Sequence, residues 1–118
     1  MAASELKLLL ALNGNRRIEH LEEEIFADRV LAELYLTSLC KSYSWYDTSS
    51  PVSELAYIYV AEVIGGPWPA AEPIILSTAE DAYYYARYVT RDRWLAAEPI
   101  IKSDAHYWYI YRTWFGII

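Results

Sequence analysis

The sequence is short of several things, and each shortage excludes something. Among 118 residues there is a single cysteine, Cys40. A lone cysteine makes no internal disulfide and no cysteine-based zinc site, so the chain reads as intracellular and cytoplasmic, with Cys40 a small core residue. No run of 18 apolar residues occurs, which excludes a helical membrane span. Leu8–Leu12 is too short for the core of a secretory signal, and no basic stretch precedes it. Cations are scarce: Lys and Arg number 10 against 16 Asp and Glu, for a net charge of −6. Direct nucleic-acid binding needs clustered Lys and Arg, so it is not expected. An acidic chain suits either plain solubility or a basic surface on another protein.

Enzyme signatures are missing too. There is no Gly-x-Gly-x-x-Gly, no P-loop lysine and no Gly-x-Ser-x-Gly. The two histidines, His20 and His106, stand in no paired metal motif. His20 beside Glu19 and Glu22–Glu24 reads as a solvated helix face before it reads as a metal site. A Cys40–His106 dyad has no local support. No enzyme, cofactor or metal is therefore expected. Only 4 Gly and 5 Pro punctuate the chain, and none lies within 16–40.

What is present is apolar and aromatic. Hydrophobic residues make up 55% and aromatics 16%, 12 of them tyrosine. This is enough to form one compact domain over 1–118. Within it, Ala70-Ala71-Glu72-Pro73-Ile74-Ile75 recurs letter for letter at Ala96–Ile101, 26 positions on. Trp68 maps onto Trp94, Val63 onto Val89, Tyr59 onto Tyr85 and Ala56 onto Ala82; Tyr83 and Tyr85 recur as Tyr109 and Tyr111.

The expected elements follow from period and punctuation. Ser4 caps a short helix over 4–12, which Asn13-Gly14-Asn15 ends. Residues 16–40 read as one long helix with two apolar stripes, Ile18, Leu21 and Ile25, and Phe26, Val30 and Leu34. Such a helix is either central to the core or shared with a partner. Residues 41–50 are a polar linker carrying Trp45 and Tyr46. Ser50-Pro51 starts a helix to about Ile64, which Gly65-Gly66 stops. Pro67-Trp68-Pro69 makes a corner, followed by a short helical turn. Ser77 and Glu80 have capping-box spacing, and Ser103-Asp104 caps the last copy. Ala56, Tyr59, Val60 and Val63 define an inner face, repeated as Ala82, Tyr85, Ala86 and Val89. In the last copy Trp108, Tyr111, Arg112 and Phe115 stand there, as a terminal, capping copy requires.

The fold expected is all-α: a helical pair over 1–40, the linker 41–50, and two and a half helix–short-helix repeats over 51–118, stacked as a small solenoid. The region 54–112 resembles a helical repeat of uncharacterised phage and giant-virus proteins. The residues that carry the likeness are Ala82-Tyr83-Tyr84-Tyr85-Ala86 with Val89, and Gly66-Pro67-Trp68-Pro69-Ala70-Ala71-Glu72-Pro73. The resemblance implies a viral accessory protein and brings no catalytic residue.

Because the copied letters read as scaffold, Glu72, Glu98, Trp68 and Trp94 are taken as structural. Binding is expected where copies differ. Tyr84 and Tyr88 point away from Ala82 at helical spacing, and Ile110 and Trp114 occupy those positions in the last copy. With Arg91, Arg93, His106 and Tyr107 they form the expected partner surface, unless that side packs beneath the helix 16–40. The function expected is a protein-binding accessory role, such as a phage-encoded inhibitor of a host defence protein (an anti-CRISPR) that docks on a basic nuclease complex. The alternative is an assembly module that forms homodimers through the helix 16–40.

Overall fold

A computed structural model describes residues 3–13 and 16–117, with only the backbone of Ala3, Ser4 and Asn13 included. Ser4 lies inside the first turn of the first helix, which begins at Ala3, rather than at its cap; of the stop expected at Asn13–Asn15, Gly14 and Asn15 lie outside the described residues. Among those described, the chain is all-helical, without a strand.

Helix α1 (Ala3–Asn13) packs on α3 (Arg29–Cys40) and buries Leu6 and Leu10. The long helix expected over 16–40 is broken. Glu19–Leu21 form a 3-10 turn, α2 spans Glu22–Phe26, and the chain turns before α3. Asp28 makes the break: its backbone is extended, and its carboxylate accepts the Val30 and Leu31 N–H groups at 2.9 and 3.1 Å. An N-cap aspartate satisfies the orphan donors of a new helix. Turning α2 away from α3 buries Ile25 and Phe26 but leaves Val30 and Leu34 in solvent. The second stripe read from the sequence is therefore not one face.

The segment 41–50 is a loop whose Trp45 and Tyr46 pack back onto the core. Helix α4 (Val52–Tyr59) follows, with Pro51 rather than Ser50 at its N-cap. It continues in a wide π-type turn, Val60–Ile64, that closes on Gly65 at φ 74°. Then come a 3-10 turn, Pro69–Ala71, the short α5 (Glu72–Ile75), and α6 (Ala79–Tyr84) with its own π-type turn Tyr85–Thr90. The cap of α6 is Thr78, one residue beyond the Ser77 expected; its hydroxyl accepts from Asp81 N at 3.3 Å, while Ser77 Oγ donates to the Ile74 carbonyl. A last 3-10 turn, Leu95–Ala97, leads through α7 (Glu98–Lys102) to α8 (Ala105–Trp114), capped by Asp104.

One set of hydrogen bonds recurs three times and ties each short helix to the longer one after it. Tyr35, Tyr85 and Tyr111 donate to Glu22, Glu72 and Glu98 at 2.7, 2.7 and 2.8 Å. Each hydroxyl in turn accepts a backbone N–H, from Ile18, Trp68 and Trp94, at 2.7, 3.0 and 2.9 Å. The tyrosine thus fixes the corner that precedes the short helix, and no buried donor there is orphaned. The structural role expected of Glu72 and Glu98 takes this form. The first member of the set lies in 17–41, a region whose kinship to the copies the sequence reading missed. Its surviving letters are Glu22, Ile25, Ala32 and Tyr35, each 50 positions before its counterpart.

The core has two clusters. The larger joins α1 to α5 and reaches Tyr85; the smaller lies among α6, α7 and α8, and Trp94 packs against both. Helix α6 touches α4 on one side and α8 on the other, within extents of 49 × 30 × 23 Å. Tyr111 is covered by Trp108 and Phe115, at ring distances of 5.7 and 4.8 Å. They do for it what Trp68 and Trp94 do for Tyr59 and Tyr85, at 5.3 and 5.0 Å.

Candidate functional site

The outward side of α6 is the centre of an aromatic face. Its inner side is set by Ala82 and Ala86, both fully buried. Two and six residues after Ala82, helical rotation puts Tyr84 and Tyr88 opposite. Tyr84 lies 5.8 Å from Tyr57 of α4, 6.2 Å from Tyr88 and 6.1 Å from Tyr107 of α8. Rings at such distances, tilted or edge-on, attract one another beyond the area they bury. The Tyr57 hydroxyl is pushed up, by burial first and then by the neighbouring Tyr88 and Tyr84. Burial, followed by Tyr84, likewise raises Tyr107. These hydroxyls therefore stay protonated and able to donate.

Arg87 joins the face to α8. Its guanidinium lies 4.1 Å over the Trp114 ring and 5.0 Å over Tyr88, and it donates to the Tyr83 hydroxyl. Cation–π contacts with two rings hold a flexible side chain in place. Its Nε is buried and, among the described residues, has no hydrogen-bond partner. Arg87, Tyr109, Ile110, Thr113 and Trp114 line a shallow cleft of about 270 Å³. Tyr88 is 52% exposed and Trp114 56%. Large aromatics left in solvent beside an arginine are the side-chain types that dominate protein interfaces.

Of the residues expected on the partner surface, Tyr84, Tyr88, Tyr107, Ile110 and Trp114 come together on this face. The alternative, that this side packs beneath 16–40, does not hold: the neighbours of Tyr84 come from α4, α6 and α8. His106 is exposed at its margin, with its ring against Tyr107 at 4.9 Å. Arg91 stands in a left-handed turn (φ 58°) at the edge of the face, where it lines a cleft with Tyr88, Gly65, Gly66 and Pro67. Arg93 is drawn into the copied scaffold, where its Nε and Nη2 bond Glu98 at 3.0 Å each. Tyr57 and Arg87 belong to the face but were not read from the sequence. The spacing of Arg87, four residues after Tyr83 and one before Tyr88, was the available signal.

The Cys40–His106 pairing does not form. Cys40 is fully buried with its sulfur 4.0 Å from the Leu55 carbonyl, and burial pushes the thiol up to about 12. Such a thiol is inert. Glu22 is turned inward from the acidic run beside His20. It receives Arg17 Nε and Nη2 at 3.0 and 2.8 Å and the Trp68 indole N–H at 2.9 Å. Among the described residues no group of three His, Cys, Asp or Glu side chains is placed to hold a metal, and no helix is long and apolar enough to cross a membrane.

No protein-family model matches the chain, and neither a curated protein nor a solved structure is significantly similar to it.

Proposed function

We propose that the chain is a non-enzymatic protein-binding module: a short helical-repeat array whose copied carboxylate–tyrosine bonds hold rigid an aromatic docking face. The observation that carries this reading is the face itself. Tyr57, Tyr84, Tyr88, Tyr107 and Trp114, gathered around Arg87 on three neighbouring helices, present large rings and donor hydroxyls from helices rather than loops. Helices hold such groups in fixed geometry, so little freedom is lost on binding. Repeat arrays use surfaces of this kind to bind macromolecules. The likeness to phage and giant-virus repeats supports a protein of the infected host as partner, and inhibition of a host defence complex as the role.

The test is affinity capture from a bacterial lysate with the wild-type chain and with a Tyr88→Ser, Trp114→Ser double variant. A partner that is retained by the first and lost by the second is the expected result. A partner retained equally by both, or none at all, would remove the reading.

A second reading, self-assembly through the N-terminal helices, has its own observation. Leu8, Leu12, Val30 and Leu34 are exposed on α1 and α3, and a groove of about 500 Å³ runs between these helices past Leu10, Val30 and Leu34. Light scattering separates the two readings: assembly requires a mass above 13.7 kDa, reduced to that value by Leu8→Ser with Leu34→Ser.

A further inference from the structure

The three carboxylate–tyrosine pairs differ at one position. Five residues before the glutamate stand Arg17, Pro67 and Arg93. The two arginines each grip their carboxylate with two parallel bonds, at 3.0 and 2.8 Å for Glu22 and 3.0 and 3.0 Å for Glu98. This is the fork geometry in which guanidinium and carboxylate bind most strongly. Proline has no such group. Glu72 accepts the Tyr85 hydroxyl through Oε2, and among the described residues it meets no cation of its own chain. Among the same residues Arg91, which lines the cleft beside Pro67, makes no ion pair either. The Glu72 side chain is only partly buried.

The aromatic neighbour is also repeated. Arg17 lies 5.1 Å over the Trp68 ring. Trp68 itself is wedged between Phe26 and Tyr59 and is 2% exposed. One copy on, Trp94 packs on Tyr85 as Trp68 packs on Tyr59. Leu76, which stands in sequence where Phe26 does, lies with Trp94 around the smaller cluster. Trp94 keeps a larger part of its surface in solvent than Trp68 does. The first copy thus holds its guanidinium between carboxylate and indole and the third on the carboxylate alone; in the middle copy, where Glu72 and Trp94 both touch Tyr85, the described residues supply none.

We infer that Glu72 and Trp94 receive an arginine side chain from a protein partner. The carboxylate offers two acceptor oxygens, one of them shared with Tyr85, and the indole offers a face for the planar guanidinium. Lysine, a point charge without the fork, fits less well. The net charge of −6 adds long-range attraction for a basic partner. Glu72 and Trp94 are not among the residues of the aromatic face around Arg87, though Tyr88 of that face lines the cleft beside Pro67.

The experiment titrates N-acetyl-arginine methylamide into the full chain and follows the indole N–H signal of Trp94 by NMR, assigned with Trp94→Phe. A saturable Trp94 shift is expected. It should be at least tenfold weaker with the uncharged citrulline analogue, and at least tenfold weaker in Glu72→Gln. Pro67→Arg, in which the chain supplies its own guanidinium, should lose binding while the Trp68 signal stays in place. If Glu72→Gln fails to fold, Pro67→Arg carries the test alone. No Trp94 shift, equal shifts with citrulline, or undiminished binding in Pro67→Arg each overturn the inference. Tighter binding of free arginine than of the blocked amide would point to a metabolite and overturn the assignment to a partner.

Discussion

Glu22 and Glu98 take the same letters into different surroundings. Each accepts a guanidinium fork and a tyrosine hydroxyl. Glu22 also accepts the Trp68 indole from 46 positions away, and its Arg17 is 27% exposed where the Arg93 of Glu98 is 43% exposed. The first carboxylate therefore joins two stretches of chain inside the larger cluster, while the second closes a corner near solvent. Identical local chemistry contributes more where its partners are desolvated.

The largest expected effect tests that difference. Glu22→Ala takes the acceptor from the Tyr35 hydroxyl and the Trp68 indole and leaves Arg17 only the exposed Glu19, and should cost about 3–5 kcal/mol. Glu98→Ala should cost about 1–2 kcal/mol. Urea unfolding of the two variants decides it, and equal losses would break the comparison.

The second test is acid. Burial works to raise Glu22, but the bonds from Arg17, Trp68 and Tyr35 outweigh it and hold the carboxyl below its ordinary value near 4.5; Arg93 does the same for Glu98. A carboxyl with a lowered folded pKa adds stability above its unfolded pKa, and that stability is lost as pH falls through the folded one. The melting temperature of the wild type should therefore drop below about pH 4.5. Glu22→Gln should flatten the drop more than Glu98→Gln. In alkali the sign reverses. Burial, and then the Glu98 bond, push the Tyr111 hydroxyl up to about 12. Its contribution is intact below its ordinary value near 10 and disappears as pH rises through about 12. Tyr111→Phe should shrink that alkaline limb without abolishing it, because burial and their own glutamates raise Tyr35 and Tyr85 as well.

A smaller effect compares two corners. Gly65 and Arg91 occupy matching positions 26 apart, and both are left-handed, at φ 74° and 58°. Only glycine takes that conformation freely, and another residue costs about 1 kcal/mol there. Arg91→Gly should stabilise the chain by roughly that amount in urea unfolding. A loss instead would mean that the Arg91 side chain does structural work at its corner.

The smallest effect on stability belongs to the aromatic face. Tyr88→Ser, at an exposed position, should change stability by less than about 0.5 kcal/mol, though it should weaken partner capture. A large loss of stability would make Tyr88 a packing residue and narrow the docking face to α8.

The outward stripe was legible because it is local. Tyr84 with Tyr88, and Ile110 with Trp114, are four residues apart on single helices, where the period alone assigns a side. The kinship of 17–41 was not legible because it survives in too few letters. Glu22, Ile25, Ala32 and Tyr35 persist, but the Trp-Pro corner and the Glu-Pro pair do not. Without them, and without a glycine or proline, a helix over 16–40 was the natural reading. The break at Ala27-Asp28 needs burial of Ile25 and Phe26 to favour it. Arg87 was missed for a similar reason: the rings that hold it come partly from α8, 27 positions on.

The sequence by itself determined the helical class, the 26-residue period and the outward direction of the tyrosines, because these depend on neighbours within a turn or two. Tertiary structure alone decided that α2 separates from α3, that Glu22 meets Trp68 and that Arg87 lies over Trp114. Those contacts join residues far apart in the chain. Their free energy comes from desolvating charges and rings together, which neither propensity nor period records.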